Sequence, residues 1–322
     1  MGAGRVGLRS RFVLLLCAVV LLAQLGRMGL RELYYAPGPL PLTRDVVVPP
    51  GGTAAAALTL RQDGVISYPP IFRIAAWLTR RQGPIRAGEF TVPAHASLWQ
   101  VLFILRFAPP VEHRVTIPEG LTAVQIAHIL NAAAAADGSV APPPEGSILP
   151  QTYDYVLGTP RPQILARAAM ALQAALGPAW AGRDPSVPLA SARQAVILAS
   201  IVQVETPLPA ELPKIAAVYE NRLARGMRLQ ADPTVIYAAS HGAAAAGRAI
   251  GRADLASPSP YNTYVNSGLP PGPICAPGLA AIQAVLHPEH DGDLYFVATG
   301  DGGHAFAQTY AGQLRNIAAA RR

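Results

Sequence analysis

The sequence predicts an α+β protein in three parts: an N-terminal membrane anchor, a small α/β module, and a mainly helical C-terminal region with a short β-hairpin. Three observations lead there. An apolar run opens the chain, Pro/Gly-rich stretches punctuate it, and apolar residues recur at helical spacing beyond residue 160. The 322 residues allow two or three domains. Apolar residues at 51% against 14% charged argue against a disordered chain. Only one run approaches spanning length, which argues against a polytopic membrane protein.

The net charge of +7 is unevenly placed. Residues 1–31 hold Arg5, Arg9, Arg11, Arg27 and Arg31 and no acid, so the other 291 residues carry only 7 − 5 = +2. A nucleic-acid binder spreads its basic patch over the folded part. Here the excess flanks an apolar run, which points to a membrane and away from nucleic acid. Of the 26 basic residues all but Lys214 are Arg, a compositional bias that says little about function.

The first element is that run. Arg11 and Arg27 bracket the fifteen residues Phe12 to Gly26, interrupted by Gln24. Extension through Met28 to Leu30 reaches spanning length if Arg27 snorkels. A cleaved signal peptide is the competing reading, but no A-x-A site follows, so an uncleaved anchor is expected. Cys17, preceded by Leu14-Leu15-Leu16 within the run, is not a lipidation site. Arg5, Arg9 and Arg11 keep their end in the cytoplasm by the positive-inside rule, and the bulk of the chain is exported. With Cys275 the only other cysteine, the exported part cannot form an internal disulfide.

Residues 32–44 read as the core of a Pro/Gly-rich linker that reaches Pro49-Pro50. Val46-Val47-Val48 is a strand, and a helix runs from Gly52-Thr53 to Gln62 with Gly64 as its stop. A second helix covers about Pro70–Arg81. Gly88–Val92 is a strand, and Ser97 caps a helix over Leu98–Arg106. His113–Ile117 is a strand and Thr122–Ala135 a helix. This first region is taken as 45–136. Residues 137–147 are a second linker, and the second region spans 147–322. There, helices cover Pro162–Leu176, Ser191–Val204 and Leu212–Arg225, the last stopped by Gly226. Leu294–Ala298 and His304–Phe306 form a hairpin across the turn Gly300-Asp301-Gly302-Gly303. Gln308–Arg322 is the closing helix.

The chemistry centres on one acid. Helix Ile197–Val204 is strongly apolar and carries one carboxylate, Glu205, at its end. A carboxyl in apolar surroundings holds its proton to higher pH, which suits a general acid acting on a glycosidic oxygen. A solvated helix-end glutamate is the plainer reading. Residues 261–278 place Tyr261, Asn262, Tyr264 and several Pro and Gly in one loop. Tyr and Asn suit stacking on sugar rings and bonding hydroxyls; a rigid surface loop is the alternative. His287-Pro288-Glu289-His290 with Asp291 and Asp293 is no metal site, because Pro288 disfavours a helix presenting both histidines. Metal is therefore not expected.

Several segments in one order carry a resemblance: Ala199–Thr206, Asn221-Arg222-Leu223, Leu229–Tyr237, Tyr261–Tyr264 and Gly268–Ile274. His287-Pro288, Tyr295-Phe296-Val297 and Gly302-Gly303-His304-x-Phe306 add to it. Together they resemble the YceG-like family of endolytic murein transglycosylases. The strand–helix–helix–strand order of the first region is similar to the LysM-like module of cell-wall enzymes.

The resemblance implies a peptidoglycan substrate cut between N-acetylmuramic acid and N-acetylglucosamine to leave 1,6-anhydro ends. It implies Glu205 as the catalytic residue. It places Asn221, Gln230, Asp232, Tyr237, Tyr261, Asn262 and Tyr264 as substrate-binding residues, with Asp232 alternatively capping the turn at Pro233. It implies no cofactor, an inner-membrane location with a periplasmic catalytic region, and peptidoglycan synthases (penicillin-binding proteins) as partners. Two departures stand out. Family members commonly carry a Glu where this chain has Gln203, and a Phe and an Asp flanking Pro150 where it has Leu149 and Gln151. A two-carboxylate hydrolase using Glu205 and Asp232, and a non-catalytic scaffold for synthases, are the rival readings.

Overall fold

The computed structural model of the chain describes residues 6–300 and 302–321. Met1–Arg5, Asp301 and Arg322, which fall in the expected basic tip, turn and closing helix, lie outside the described residues. The chain forms two compact units: one runs to Glu112 and adds Val156–Gly158, the other comprises His113–Tyr155 and residues from Thr159 onward.

In the first unit, helix α1 (Val6–Tyr35) contains one stretch, Phe12–Tyr35, long and apolar enough to cross a bilayer. It continues through the first residues of the expected linker. The rest of that linker is largely exposed but tied to the unit at a few points: Leu40 is buried, Gly38 N–H donates to His95 O, and His95 N–H donates to Leu40 O. Strand β1 (Arg44–Val48) follows, then α2 (Gly52–Gln62), α3 (Pro69–Leu78), β2 (Gly88–Val92) and α4 (Leu98–Phe107). The end of the expected second helix tightens into a separate 3₁₀ turn, Arg80–Gln82. Strands β1 and β2 pair antiparallel, with Val46 opposite Phe90, and the helices cover one face. Val46, Leu60, Phe72, Phe90 and Leu102 fill the core. Ser97 and Gln100 form a reciprocal capping box on α4, satisfying two orphan N–H groups. Buried Arg106 donates to Ala76 O, Thr79 Oγ1 and Gln82 Oε1, tying α4 to the end of α3.

The second unit begins with β3 (Glu112–Thr116), whose first residue belongs to the other unit, and α5 (Ala123–Ala132). The sequence groups these with the first region; in the structure His113 onward packs with the second unit. The reason is an unforeseen partner strand: β3 pairs with β5 (Thr152–Val156). The short strands β4 (Ala136–Asp137) and β6 (Thr159–Pro160) pair in parallel. Helix α6 (Arg161–Ala181) runs past the expected stop at Leu176 and carries Pro178 in its last turns. Then come α7 (Ala192–Glu205), α8 (Leu212–Ala224), α9 (Asp232–Ala239), the short α10 (Arg252–Leu255) and α11 (Leu279–Leu286). The hairpin β7 (Tyr295–Ala298) and β8 (His304–Ala307) precedes α12 (Tyr310–Ala320).

Helix α7 is the axis of this unit. Every residue from Ala195 to Val202 is buried, and α6, α8 and α11 pack around it. That explains a sequence apolar on all sides rather than striped. Ser200 is the polar exception: its hydroxyl donates to Ile197 O and accepts from Ile274 N–H, while Cys275 Sγ donates to Ser200 O. The Pro/Gly-rich loop 261–278 is thereby pinned to α7.

Candidate functional site

Glu205 is the last residue of α7. The helix ends there because Thr206 precedes Pro207, and a residue before proline is pushed out of the helical region; Thr206 is extended at φ −136, ψ 140. Glu205 is partly buried. On the next helix Tyr219 is 1% exposed, and its hydroxyl donates to Glu205 Oε1 at 2.5 Å. The Tyr219 ring is fixed edge-on against Phe296 of β7, centroids 5.8 Å apart.

The Glu205 carboxyl is pushed up to about 7. Burial is the main cause and the charge of Asp232 adds to it; the Tyr219 hydrogen bond and the Arg222 charge oppose it. Its place at the negative end of α7 also disfavours ionisation. Near neutral pH this carboxyl therefore exists in both protonation states.

Arg222 lies one turn after Tyr219, on the same face of α8. Its Nε donates to Leu294 O at 2.7 Å, and its Nη1 donates to Leu229 O at 2.5 Å. The buried cation thus holds the segment leading into the hairpin and the segment leading into α9, while its charge acts on Glu205. Leu229 begins the segment that delivers Asp232. Gln230 is held left-handed at φ 50, a conformation unusual for a non-glycine residue, and its N–H donates to Thr263 O. Thr263 Oγ1 accepts from Ala231 N–H and bonds Thr234 Oγ1. This lacing sets Tyr264 beside Asp232, and the Tyr264 hydroxyl donates to Asp232 Oδ1. Burial, then that bond, push the Tyr264 phenol up.

A second carboxyl cluster uses the far end of α9. Tyr237 stacks obliquely on Tyr261, centroids 4.9 Å apart, and its hydroxyl donates to Glu145 Oε2 at 3.3 Å. Glu145 Oε1 accepts from Ala123 N–H at the start of α5. Burial pushes Glu145 up to about 7 despite these bonds.

The profile of the YceG-like family matches residues 46–319. The chain belongs to the YceG-like family. An endolytic murein transglycosylase of Bacillus subtilis (strain 168) is 42% identical over 122 residues, 37% of this chain and 32% of that protein. One from Streptococcus pneumoniae serotype 2 (strain D39) is 30% identical over 183 residues, 54% of this chain and 32% of that protein. The chain therefore spans about a third of the length of each of these relatives. A solved YceG-like protein from Listeria monocytogenes matches with a TM-score of 0.55 and 25% identity, over 85% of this chain and 98% of that one.

In this YceG-like chain the structure gathers Glu205, Asp232 and Tyr264 into one cluster and sets Tyr237 and Tyr261 in the other. Gln230 is exposed beside Asp232. Two of the residues expected to bind substrate are committed within the protein instead. Asn221 Nδ2 donates to Asp291 O and Asp293 O, holding the segment before the hairpin. Asn262 is fully buried; its Nδ2 donates to Asp254, Leu255 and Ser257 carbonyls and its Oδ1 accepts from Tyr264 N–H. Gln203 Oε1 accepts from Gly278 N–H at 2.8 Å, capping the start of α11. His290 faces Asp184, Nε2 to Oδ2 at 3.1 Å. Sequence reasoning missed Tyr219, Arg222 and Glu145 as site residues. The spacing of Tyr219 and Arg222 on one helix face was a usable signal. Glu145 sat inside a segment read as linker.

Proposed function

We propose that this chain is a membrane-anchored endolytic murein transglycosylase with Glu205 as its single catalytic acid and base. The observation that carries the reading is a carboxyl at the end of a buried helix, with one oxygen accepting from the buried Tyr219 hydroxyl and the other left to act; burial raises its pKa. Family membership and the names of the relatives supply the substrate class.

Because Oε1 accepts from Tyr219, the proton to be transferred sits on Oε2. Glu205 gives it to the oxygen bridging N-acetylmuramic acid and N-acetylglucosamine, and the C1–O bond breaks through an oxocarbenium-like transition state. The resulting carboxylate takes the proton of the muramyl C6 hydroxyl as that oxygen closes on C1. A 1,6-anhydro end forms, no water is consumed, and Glu205 regains its proton. Glycosidases that use water need two carboxylates; an internal nucleophile removes that need. Asp232, held by Tyr264, raises the Glu205 pKa and lines the substrate path with Gln230. Tyr237 and Tyr261 stack on a sugar ring. The first unit serves as a LysM-like glycan-binding module. With the basic end of α1 in the cytoplasm, the second unit works on the periplasmic side of the inner membrane, near peptidoglycan synthases.

Digestion of purified glycan strands with mass analysis of the products tests this. Anhydro ends from the wild type, lost by about 10²–10⁴-fold in folded Glu205→Gln, are expected, as removing proton transfer typically does. Reducing ends would make the protein a hydrolase using Asp232, and no cleavage would leave a scaffold.

A further inference from the structure

The first unit carries an exposed apolar face that its own core does not use. On α4, Trp99, Phe103 and Phe107 recur every fourth residue and are 42%, 49% and 51% exposed. Their rings run in contact, centroids 5.8 and 5.2 Å apart. On α3, Ile74, Trp77 and Leu78 are 54%, 60% and 61% exposed. A water-facing domain rarely leaves a patch of this kind open.

Its place relative to α1 says what covers it. Phe12–Leu30 is 19 residues of helix, about 28 Å at 1.5 Å per residue, against a hydrocarbon core of about 30 Å. The next turn, Arg31–Tyr35, therefore emerges at headgroup level, where Tyr is favoured. That turn is built into the unit. Tyr34 packs on the unit's core, and Tyr35 lies against Trp99 with centroids 6.3 Å apart. Arg31, Tyr34 and Tyr35 line one cavity together with Ile74, Leu78 and Leu98. Residues 36–43 are tied back to the unit at Gly38, Leu40 and Thr43, which limits how far the unit can stand off. The outer faces of α3 and α4 are thus held at the depth where α1 leaves the bilayer. Arg73, Arg80 and Arg81 are exposed on and just after α3, which has no acidic residue, and Arg80 lies over the Trp77 ring at 4.5 Å.

We propose that the first unit seats on the bilayer surface through α3 and α4. Trp77, Trp99 and Phe103 enter the headgroup–acyl boundary, and the three arginines meet phosphates of anionic lipids. This contact is additional to the span itself, and needs only that α1 is inserted.

The test uses the full chain in nanodiscs of phosphatidylglycerol and phosphatidylcholine carrying lipids with a nitroxide high on the acyl chain. Three forms keep a single tryptophan each, Trp77, Trp99 or Trp180, with the other two changed to Phe. Trp77 and Trp99 should lose most of their emission relative to nitroxide-free discs, because rings about 5–10 Å into the boundary lie within reach of the quencher. Trp180 reports separately on the second unit, and each form is compared with its own emission in discs without nitroxide. Co-migration of the chain with the disc separately reports the α1 anchor. If the chain stays with the disc but Trp77 and Trp99 keep the emission they have in nitroxide-free discs, the seat does not exist and the face is left for a protein partner. Should a single-tryptophan form misfold, Trp180→Phe alone keeps both reporters and decides the question by the same loss.

Discussion

Replacing Tyr219 by Phe isolates one hydrogen bond. The ring is buried and fixed against Phe296, so Phe keeps the packing and removes only the hydroxyl that reaches Glu205 at 2.5 Å. A hydrogen bond to a charged group contributes about 1.5–3 kcal/mol. The same hydroxyl also donates to the neutral carboxyl, so about half of this distinguishes the two protonation states, or about one pKa unit. The bond favours the charged form, so its loss moves Glu205 upward from about 7. A general acid that holds its proton longer moves the alkaline limb of the pH–rate profile up by about one unit. The plateau falls, because the carboxyl has lost its positioning partner. The assay is release of anhydro ends from purified strands across pH 5–10, with circular dichroism to confirm folding. An alkaline limb that stays in place, or moves down, in folded Tyr219→Phe would refute the assignment of that limb to Glu205.

Asp232→Asn should move the same limb the other way, since it removes a neighbouring negative charge while its amide oxygen still accepts from Tyr264; a limb shifted upward would contradict the coupling. Gln203→Ala should keep anhydro-forming activity but lower stability by about 1 kcal/mol, the usual loss for a helix cap; melting curves and turnover on the same preparation read both effects. Glu220 is buried, its Oε1 finds no hydrogen-bond partner among the described residues, and burial pushes it from an ordinary 4.5 up to about 8. The folded protein then holds a proton that the unfolded chain releases, so stability falls as pH rises from about 4.5 through about 8. Glu220→Gln should flatten this fall in denaturant titrations at pH 5 and pH 8, and an unchanged slope would clear Glu220 of it.

The candidate site divides along the same line as the fold. Glu205 is legible from local sequence because a strongly apolar helix carrying a single acid, at its end, is a statement about burial. Tyr219, 14 residues away, becomes its partner only when α8 packs on α7. Asp232 and Tyr264 are 32 residues apart and meet through the threonine lacing between their segments. Glu145 and Tyr237 are 92 apart, and a glutamate among four prolines and glycines reads as solvent-facing until α9 covers it. Asn221 and Asn262 have the chemistry for sugar recognition. Only the surrounding carbonyls reveal that their amides are already occupied.

The sequence by itself determined the local elements: α2, β2, α4, α7, α8 and the C-terminal hairpin follow from periodicity, caps and turn residues, which act over a few neighbours. It also determined the apolar span, through length and composition alone. Tertiary structure decided the rest. It moved β3 and α5 into the second unit by giving β3 a partner in β5, and it tied the expected tether between α1 and β1 to the unit at Gly38 and Leu40. It also set the protonation of Glu205, because desolvation and neighbouring charge are properties of what the fold brings within a few ångströms, not of what lies adjacent along the chain.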